Sequence, residues 1–178
     1  MDRSTTDRPA QPPGGPPDFR AFAAARGGHL VRTAYLLTGG DSHLAEDLAQ
    51  ETLGRLYDRW RKASRLDNPA AYAQTVLVNA FLSYRRRRSS TERPTDRFAD
   101  TGADGPDPSL RVTLLLALRQ LPVQDRAVLV LRYWEDRSVE ETAAALRLPP
   151  STVRTRSSRA RARLRVVLGD SLDELDRP

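Results

Sequence analysis

Few side chains in this sequence are suited to catalysis. The chain has no cysteine and only two histidines, His29 and His43, which leaves little for nucleophilic or imidazole-based metal chemistry. Three carboxylates, Glu46, Asp47 and Glu51, are a conceivable metal cluster, but they lack the Glu-x-x-His partner that helical two-metal sites use. An enzyme with a catalytic N-terminal half is therefore the least favoured function, and we expect no metal and no cofactor.

The arginines near the C-terminus have a clearer chemical use. Within Ser138–Leu168, a candidate helix and a proline break precede a second candidate helix with six arginines and no acid. At 3.6 residues per turn, small residues form one stripe of the second helix, between two rows of arginine. The stripe comprises Ser151, Thr155, Ser158 and Ala162, with Arg154, Arg161 and Arg165 on one side and Arg156, Arg159 and Arg163 on the other. This pattern suits a helix lying in the major groove of DNA.

Two helices joined by a tight turn must position that surface. Ser138 and Glu141 form the S-x-x-E capping box that begins a helix. Pro149 and Pro150 stop this helix and open the next. The opposite face of the second helix is predicted to be buried and contains Val153, Ala160, Leu164 and Val167. The spacing is that of a helix-turn-helix motif; the alternative is a solvated basic helix in an ordinary bundle.

Composition favours a soluble protein with a polyanionic partner. The 178 residues include 29 Lys and Arg against 23 Asp and Glu, a net charge of +6. No apolar run reaches membrane-spanning length, and the N-terminus lacks the apolar core of a signal peptide. We therefore expect a cytoplasmic protein that does not contact a membrane.

The chain divides into two helical units with no convincing strand. Gly39–Gly40 end the first predicted helix, Asp41 or Ser42 caps the second, and that helix runs to about Trp60. We predict an all-α chain of two small helical domains joined by a flexible linker. The predicted segments are a disordered tail (1–17), a first domain (18–88), a linker (89–108), a second domain (109–170) and a short tail (171–178).

Four blocks of the sequence, in order, resemble conserved blocks of bacterial RNA polymerase sigma factors of the sigma-70 family, specifically the short extracytoplasmic-function (ECF) type. The blocks are HLAEDLAQETLGRLY (His43–Tyr57), NPAAYAQTVLVNAFLSYRRRR (Asn68–Arg88), LRQLPVQDRAVLVLRYWED (Leu118–Asp136) and LPPSTVRTRSSRARARLR (Leu148–Arg165). The resemblance implies a transcription initiation factor rather than an enzyme. Such a protein binds core RNA polymerase, directs it to promoters and helps to open the DNA.

The resemblance also implies roles for single residues. It places Asp47, Gln50 and Glu51 against the clamp helices of the largest polymerase subunit. The second domain would read the minus-thirty-five element as duplex, through Arg154, Thr155, Ser158, Arg159 and Arg161, with the remaining arginines mainly holding phosphate. The first domain would read the minus-ten element partly as unpaired bases, through Lys62, Arg65 and Asn68 in a base-capturing loop, Tyr72 and Asn79 on the next helix, and Arg85 and Arg86 at phosphates.

Alternatives remain open at the level of the sequence. Core packing is the alternative role for Tyr72, a plain surface amide for Asn79, and an ordinary polar loop for Lys62–Asn68. The competing function for the chain is a stand-alone helix-turn-helix regulator, with residues 18–90 as a dimerisation or ligand domain. That domain shows no obvious apolar dimer seam. Sigma factors of this type often have an anti-sigma factor as a further partner, which the sequence does not identify.

Overall fold

The computed structural model describes residues 18–89 and 108–169, and within these stretches every regular element is helical. The elements are α1 (Phe19–Thr38), α2 (Ser42–Asp58), α3 (Trp60–Ala63), α4 (Pro69–Ser89), α5 (Pro108–Gln120), α6 (Val123–Leu129), a π-helical turn (Val130–Trp134), α7 (Val139–Leu146) and α8 (Pro150–Leu168). The all-α prediction is confirmed. The predicted tails and nearly all of the predicted linker lie outside the described residues, and the domain limits stay a prediction.

Most helix ends form where the local signals place them. Gly39, in the left-handed conformation with φ 70°, closes α1. Asp41 caps α2, since its Oδ1 accepts the N–H of Leu44 at 3.0 Å. The predicted capping box begins α7: Ser138 Oγ accepts the N–H of Glu141 at 3.0 Å, and the Glu141 carboxylate accepts the N–H of Ser138 at 2.8 Å. These hydrogen bonds lower the pKa of Glu141 below its ordinary value.

Two helix ends come earlier than predicted. α2 ends at Asp58, and a separate short helix begins at Trp60. α7 ends at Leu146, ahead of the prolines, because Arg147 adopts the left-handed conformation with φ 55° and closes the helix. Pro150 then occupies the first turn of α8, where its missing N–H costs nothing.

The first domain has a core of leucine and aromatic side chains between α1, α2 and α4. Leu37, Leu56 and Leu77 are fully buried in it. At one end, the Trp60 ring packs against Phe19 and Phe22, with centroid separations of 5.3 and 4.8 Å. No helix in residues 18–89 or 108–169 is long and apolar enough to span a membrane.

The second domain holds α8 against two different helices. Val153, in its first half, is buried with Val128 of α6, and Ala160, in its second half, is buried with Leu118 of α5. Leu168, at the last turn of α8, is 4% exposed. The prediction that Val167 is buried is wrong, since 37% of it is exposed.

The two domains pack against each other. Ala127, Val130, Leu131 and Ala145 of the second domain belong to the same apolar cluster as the leucines of α1 and α4. Such a shared cluster couples the two units energetically.

Arg126 joins the two domains through the ends of two helices. Its guanidinium donates to the carbonyl of Leu37, near the end of α1, at 2.9 Å, and to that of Arg119, near the end of α5, at 3.0 Å. Burial, with repulsion from Arg85 and Arg119, lowers the pKa of Arg126 to about 10. The side chain therefore remains charged at neutral pH and complements the negative ends of both helix dipoles.

Candidate nucleic-acid interface

The exposed side of α8 carries the residues predicted to contact duplex DNA. Val153 and Ala160 point into the domain with no exposed surface, which turns the opposite face outward. All five predicted side chains are exposed there, namely Arg154, Thr155, Ser158, Arg159 and Arg161. The face presents short hydroxyl groups between guanidiniums, as a groove-reading helix does.

The arginines of α8 are not equivalent. Asp125 of α6 is 1% exposed, and its two carboxylate oxygens accept from Arg156 at 2.6 Å and from Arg163 at 3.3 Å. These two arginines stand seven residues apart, so one carboxylate fixes two turns of the helix. The structure therefore differs from the expectation that the remaining arginines mainly hold phosphate: these two attach α8 to the domain. Arg154, by contrast, pairs with exposed Glu140 at 3.1 Å, in a contact that water screens.

A basic cavity of about 370 Å³ lies between α8 and the π-helical turn. Its lining includes Arg132, Tyr133, Arg154, Arg161 and Arg165. The guanidinium carbons of Arg132 and Arg161 lie 5.8 and 5.6 Å from the centroid of the Tyr133 ring, which is a cation–π arrangement. Sequence reasoning missed Arg132 and Tyr133 as surface residues, because the π-helical turn changes the helical phase after Leu129.

A second cavity, of about 630 Å³, lies in the first domain around the predicted base-capturing loop. It brings together Lys62 and Tyr72, with Arg61 and Leu66 also in its lining. Tyr72 is half-buried against the core as well, so its ring both packs against the core and lines this cavity. Arg65 is exposed on the same loop.

Asn68 has a structural task in that loop. Its Oδ1 accepts the N–H of Ala71 at 2.9 Å and so caps the start of α4. The far end of α4 carries Arg85 and Arg86, both exposed as predicted for phosphate contacts.

Asn79 does not face solvent. It is half-buried, and its Nδ2 donates to the carbonyl of Thr75 at 2.8 Å and to that of Ala145, in α7 of the second domain, at 3.2 Å. In this conformation Asn79 is neither a plain surface amide nor open to a DNA strand.

The acidic and polar face of α2 lies opposite its buried leucines. Asp47 and Gln50 are exposed, and Leu48 on the other side is 2% exposed. Glu51 is half-buried and accepts from Arg55 at 2.5 Å, one turn along the helix. The three predicted polymerase-contacting side chains thus lie together on one accessible surface.

These surfaces are suited to binding rather than to catalysis. Arginines and hydroxyl groups hold phosphate and base edges, and an aromatic ring beside a cavity can stack on a base. Among the residues that the structure describes, no group of three or more His, Cys, Asp or Glu side chains is arranged to hold a metal ion.

Two family models match the chain in succession. Sigma-70 region 2 matches residues 22–91, and Sigma-70, region 4 matches residues 111–164. The first match begins within α1 and includes all of α2, α3 and α4, and the second begins within α5 and ends within α8.

Individual relatives agree with these matches. The chain is 35% identical over 150 residues to the RNA polymerase sigma-E factor of Streptomyces coelicolor, an alignment that covers 83% of this chain and 84% of that protein. It is 31% identical over 156 residues to the ECF RNA polymerase sigma factor EcfG of Rhodopseudomonas palustris, covering 85% and 80% of the two chains. Among solved structures, it resembles the sigma factor RpoE of Bartonella quintana, crystallised with the anti-sigma factor NepR, with a TM-score of 0.74, 27% identity and coverage of 90% and 99%. The chain therefore belongs to the sigma-70 family of RNA polymerase sigma factors, in its ECF group.

Proposed function

We propose that this sigma factor divides promoter recognition between the surfaces described above. As a sigma factor, the chain binds core RNA polymerase and directs it to promoters. The observation that carries the proposal is the presence of both promoter-binding regions, in order, in one chain. A stand-alone helix-turn-helix regulator is not favoured, because residues 22–91 match a sigma region. We further infer that the chain acts in the cytoplasm and catalyses nothing itself, since the polymerase performs the chemistry.

The second domain reads the minus-thirty-five element with α8. Arg154, Thr155, Ser158 and Arg159 contact base edges in the major groove, and Arg161 holds the backbone. The exposure of these side chains supports the assignment, as does the attachment of α8 to Asp125, which fixes the orientation of the helix.

The first domain receives the minus-ten element as an open strand. A base extruded from the duplex enters the cavity beside Tyr72, which offers a ring for stacking, and Lys62 a charge for the adjoining phosphate. Arg65 and Asn68 border the strand on the same loop. Farther along α4 the strand passes Asn79 and reaches two exposed arginines, Arg85 and Arg86.

Core polymerase binds the first domain on α2. Asp47, Gln50 and Glu51 contact the clamp helices of the largest subunit. Two acids and an amide on one accessible face are complementary to a basic or amide-rich partner surface.

An anti-sigma factor is a further partner that we propose for this chain. The proposal follows from the solved structural neighbour, which is a sigma factor bound to an anti-sigma factor. Purification of the tagged chain from its own cells, followed by mass spectrometry, tests for such a partner. Recovery of polymerase subunits alone would contradict it.

The experiment that tests the function is transcription with purified core polymerase. Start sites mapped after overexpression supply a cognate promoter, and run-off transcription from it should require the chain. Arg154→Ala and Arg159→Ala should reduce initiation and keep core binding, whereas charge reversal at Asp47 and Glu51 should abolish co-purification with core. The arginine substitutions and the charge reversals serve as controls for each other, because each set should impair one activity and retain the other. If the chain shifts promoter duplex equally well alone and core gains no initiation, the proposal is wrong.

A further inference from the structure

Tyr133 lies at the surface beside α8, in the π-helical turn. Val130 and Leu131, earlier in the same turn, are 3% and 0% exposed, whereas Tyr133 is 54% exposed. The turn thus brings the chain out of the core and places an aromatic ring at the basic cavity of about 370 Å³. The ring therefore lies among the arginines that line this cavity.

The ring makes cation–π contacts with two of these arginines. Cζ of Arg132 lies 5.8 Å from the ring centroid, and Cζ of Arg161, on α8, lies 5.6 Å from it. Arg132 has a second contact, since its guanidinium also donates to the backbone carbonyl of Arg137. Tyr133 thus connects Arg161, which is exposed on α8, to a side chain that is fixed to the backbone.

The face of the ring makes this connection, and the hydroxyl group contributes little. Tyr133 Oη lies 3.5 Å from Ser157 Oγ, which is long for a hydrogen bond between hydroxyl groups, usually about 2.5–3.0 Å. A cation–π attraction needs only the aromatic face. Phenylalanine should therefore replace Tyr133 without loss, and leucine should not.

An aromatic partner and a carboxylate partner hold an arginine with different consequences. Asp125 holds Arg156 and Arg163, but its oxygens take up N–H donors and its charge offsets theirs. A ring face attracts the guanidinium and leaves the N–H donors, which lie in the guanidinium plane, free to bind an anion. Arg161 is therefore both ordered and available.

The cavity gathers positive charge that an anion would offset. Arg132, Arg154, Arg161 and Arg165 line it, and none of the described residues in its lining is acidic. A phosphate group suits such a site, because its oxygens accept from several guanidinium donors at once. Since Arg154 and Ser158 of the proposed DNA-reading face line the same cavity, a backbone phosphate of the minus-thirty-five duplex is the ligand that fits it.

We propose that Tyr133 is a positioning residue for minus-thirty-five binding: its ring holds Arg161 in the cavity, where the guanidinium binds one phosphate of the DNA backbone. The inference rests on the proposed role of Arg161 as a backbone contact. An unrestrained arginine loses much of its rotamer freedom when it binds a phosphate, and this loss weakens the complex. In this chain the ring orders Arg161 before DNA binds, so binding costs less conformational entropy.

A double-mutant cycle tests whether Tyr133 acts through Arg161. The affinity of the holoenzyme for a labelled minus-thirty-five duplex is measured by fluorescence anisotropy at a fixed salt concentration. Tyr133→Leu should weaken binding roughly two- to fivefold, the factor that ~0.5–1 kcal/mol of lost cation–π free energy gives. Tyr133→Phe should bind as the parent chain does. In the Arg161→Gln background, Tyr133→Leu should have almost no further effect, because the partner of the ring is absent.

Arg165→Gln is the matched control. Arg165 lines the same cavity, but the described cation–π contacts of the ring are with Arg132 and Arg161. Tyr133→Leu should therefore cost the same factor with and without Arg165→Gln. An undiminished effect of Tyr133→Leu in the Arg161→Gln background would overturn the inference, because the ring would then act by another route. So would equal losses for Tyr133→Phe and Tyr133→Leu, which would assign the effect to the hydroxyl group.

Failure of the proposed function gives a different result. If Arg161→Gln alone leaves the affinity unchanged, Arg161 does not hold the backbone, and the inference fails together with that assignment. If Arg161→Gln weakens binding and Tyr133→Leu does not, only the positioning role of the ring is wrong. Each variant is titrated as purified holoenzyme, which excludes loss of core binding as the cause of a weaker signal.

Discussion

At the scale of single residues, partners distant in sequence decide which arginines are available to DNA. Arg156 and Arg163 share the buried carboxylate of Asp125, whereas the side chains of Arg159 and Arg165 make no hydrogen bond or ion pair with any described residue. A carboxylate that is 1% exposed cannot exchange its partners for water. The basic helix therefore contains both attachment residues and contact residues.

Asp125→Asn should destabilise the protein because it leaves two guanidiniums without their anion. Removal of one partner from a fully buried pair costs about 3–5 kcal/mol. Since the Arg156 and Arg163 side chains are 28% and 49% exposed, we expect a loss of about 2 kcal/mol. Urea denaturation followed by circular dichroism measures it. Glu140→Gln breaks an exposed pair and should cost less than about 1 kcal/mol; equal losses would contradict the structural role of Asp125.

The distinction between arginines that attach α8 to the domain and arginines that contact DNA also predicts the salt dependence of promoter binding. Each phosphate contact contributes about −0.9 to the slope of log affinity against log salt. Arg161→Gln should therefore make this slope less negative by about 1, whereas Arg163→Gln should leave it nearly unchanged. Fluorescence anisotropy of a labelled minus-thirty-five duplex with the holoenzyme, at several salt concentrations, gives both slopes. A less negative slope for Arg163→Gln than for Arg161→Gln would reverse the assignment.

At the scale of elements, two glycines show how position determines the effect of one substitution. Gly39 closes α1 with φ 70°, and a Cβ there would overlap Cγ of Arg119 and lie 3.2 Å from Nη1 of Arg126. Gly54 lies inside α2, where a Cβ would meet nothing within 4 Å. Gly39 is needed because the backbone there is left-handed and because neighbouring side chains leave no room for a Cβ. Neither reason applies to Gly54.

Gly39→Ala should consequently destabilise the protein, whereas Gly54→Ala should stabilise it. The left-handed conformation alone costs alanine about 1–2 kcal/mol, and displacement of the two arginines adds to it. Gly54→Ala should stabilise the protein by about 0.5–1 kcal/mol through helix propensity. Thermal unfolding compares the two variants with the parent chain. Stabilisation by both substitutions would show that Gly39 does not need its left-handed conformation.

Structural features that depend on residues nearby in the sequence could be predicted, and features that depend on residues far away in the sequence could not. The Ser138–Glu141 capping box and the end of α1 at Gly39 depend on residues within one helical turn. The π-helical turn contacts α1, which is distant in sequence, and it shifts the helical phase, so no periodic signal identified Tyr133 as a surface residue. Asp125 lies 31 residues from Arg156 and 38 from Arg163, and no spacing rule links them.

At the scale of the whole molecule, the two units share one apolar core. Val130 and Leu131 of the second domain are 3% and 0% exposed, in the cluster formed by α1 and α4. Units of about 60–70 residues are close to the lower limit for an independent core. Each domain therefore gains stability from the other through this shared core.

This coupling predicts a single unfolding transition for the free chain. The sequence contains two tryptophans, one in each domain: Trp60 is buried in the first, and Trp134 contacts His29 from the second. Incorporation of fluorotryptophan gives one fluorine resonance per domain without a substitution, and Trp60→Phe assigns them. Both resonances should lose intensity at the same urea concentration, because neither core persists without the other. Arg137 of the second domain donates to Thr75 Oγ1 at 3.0 Å and to Gln74 Oε1 at 2.7 Å, both on α4. Arg137→Gln removes these contacts, and the weakened interface should separate the two midpoints. Separated midpoints in the parent chain would mean that the domains fold independently.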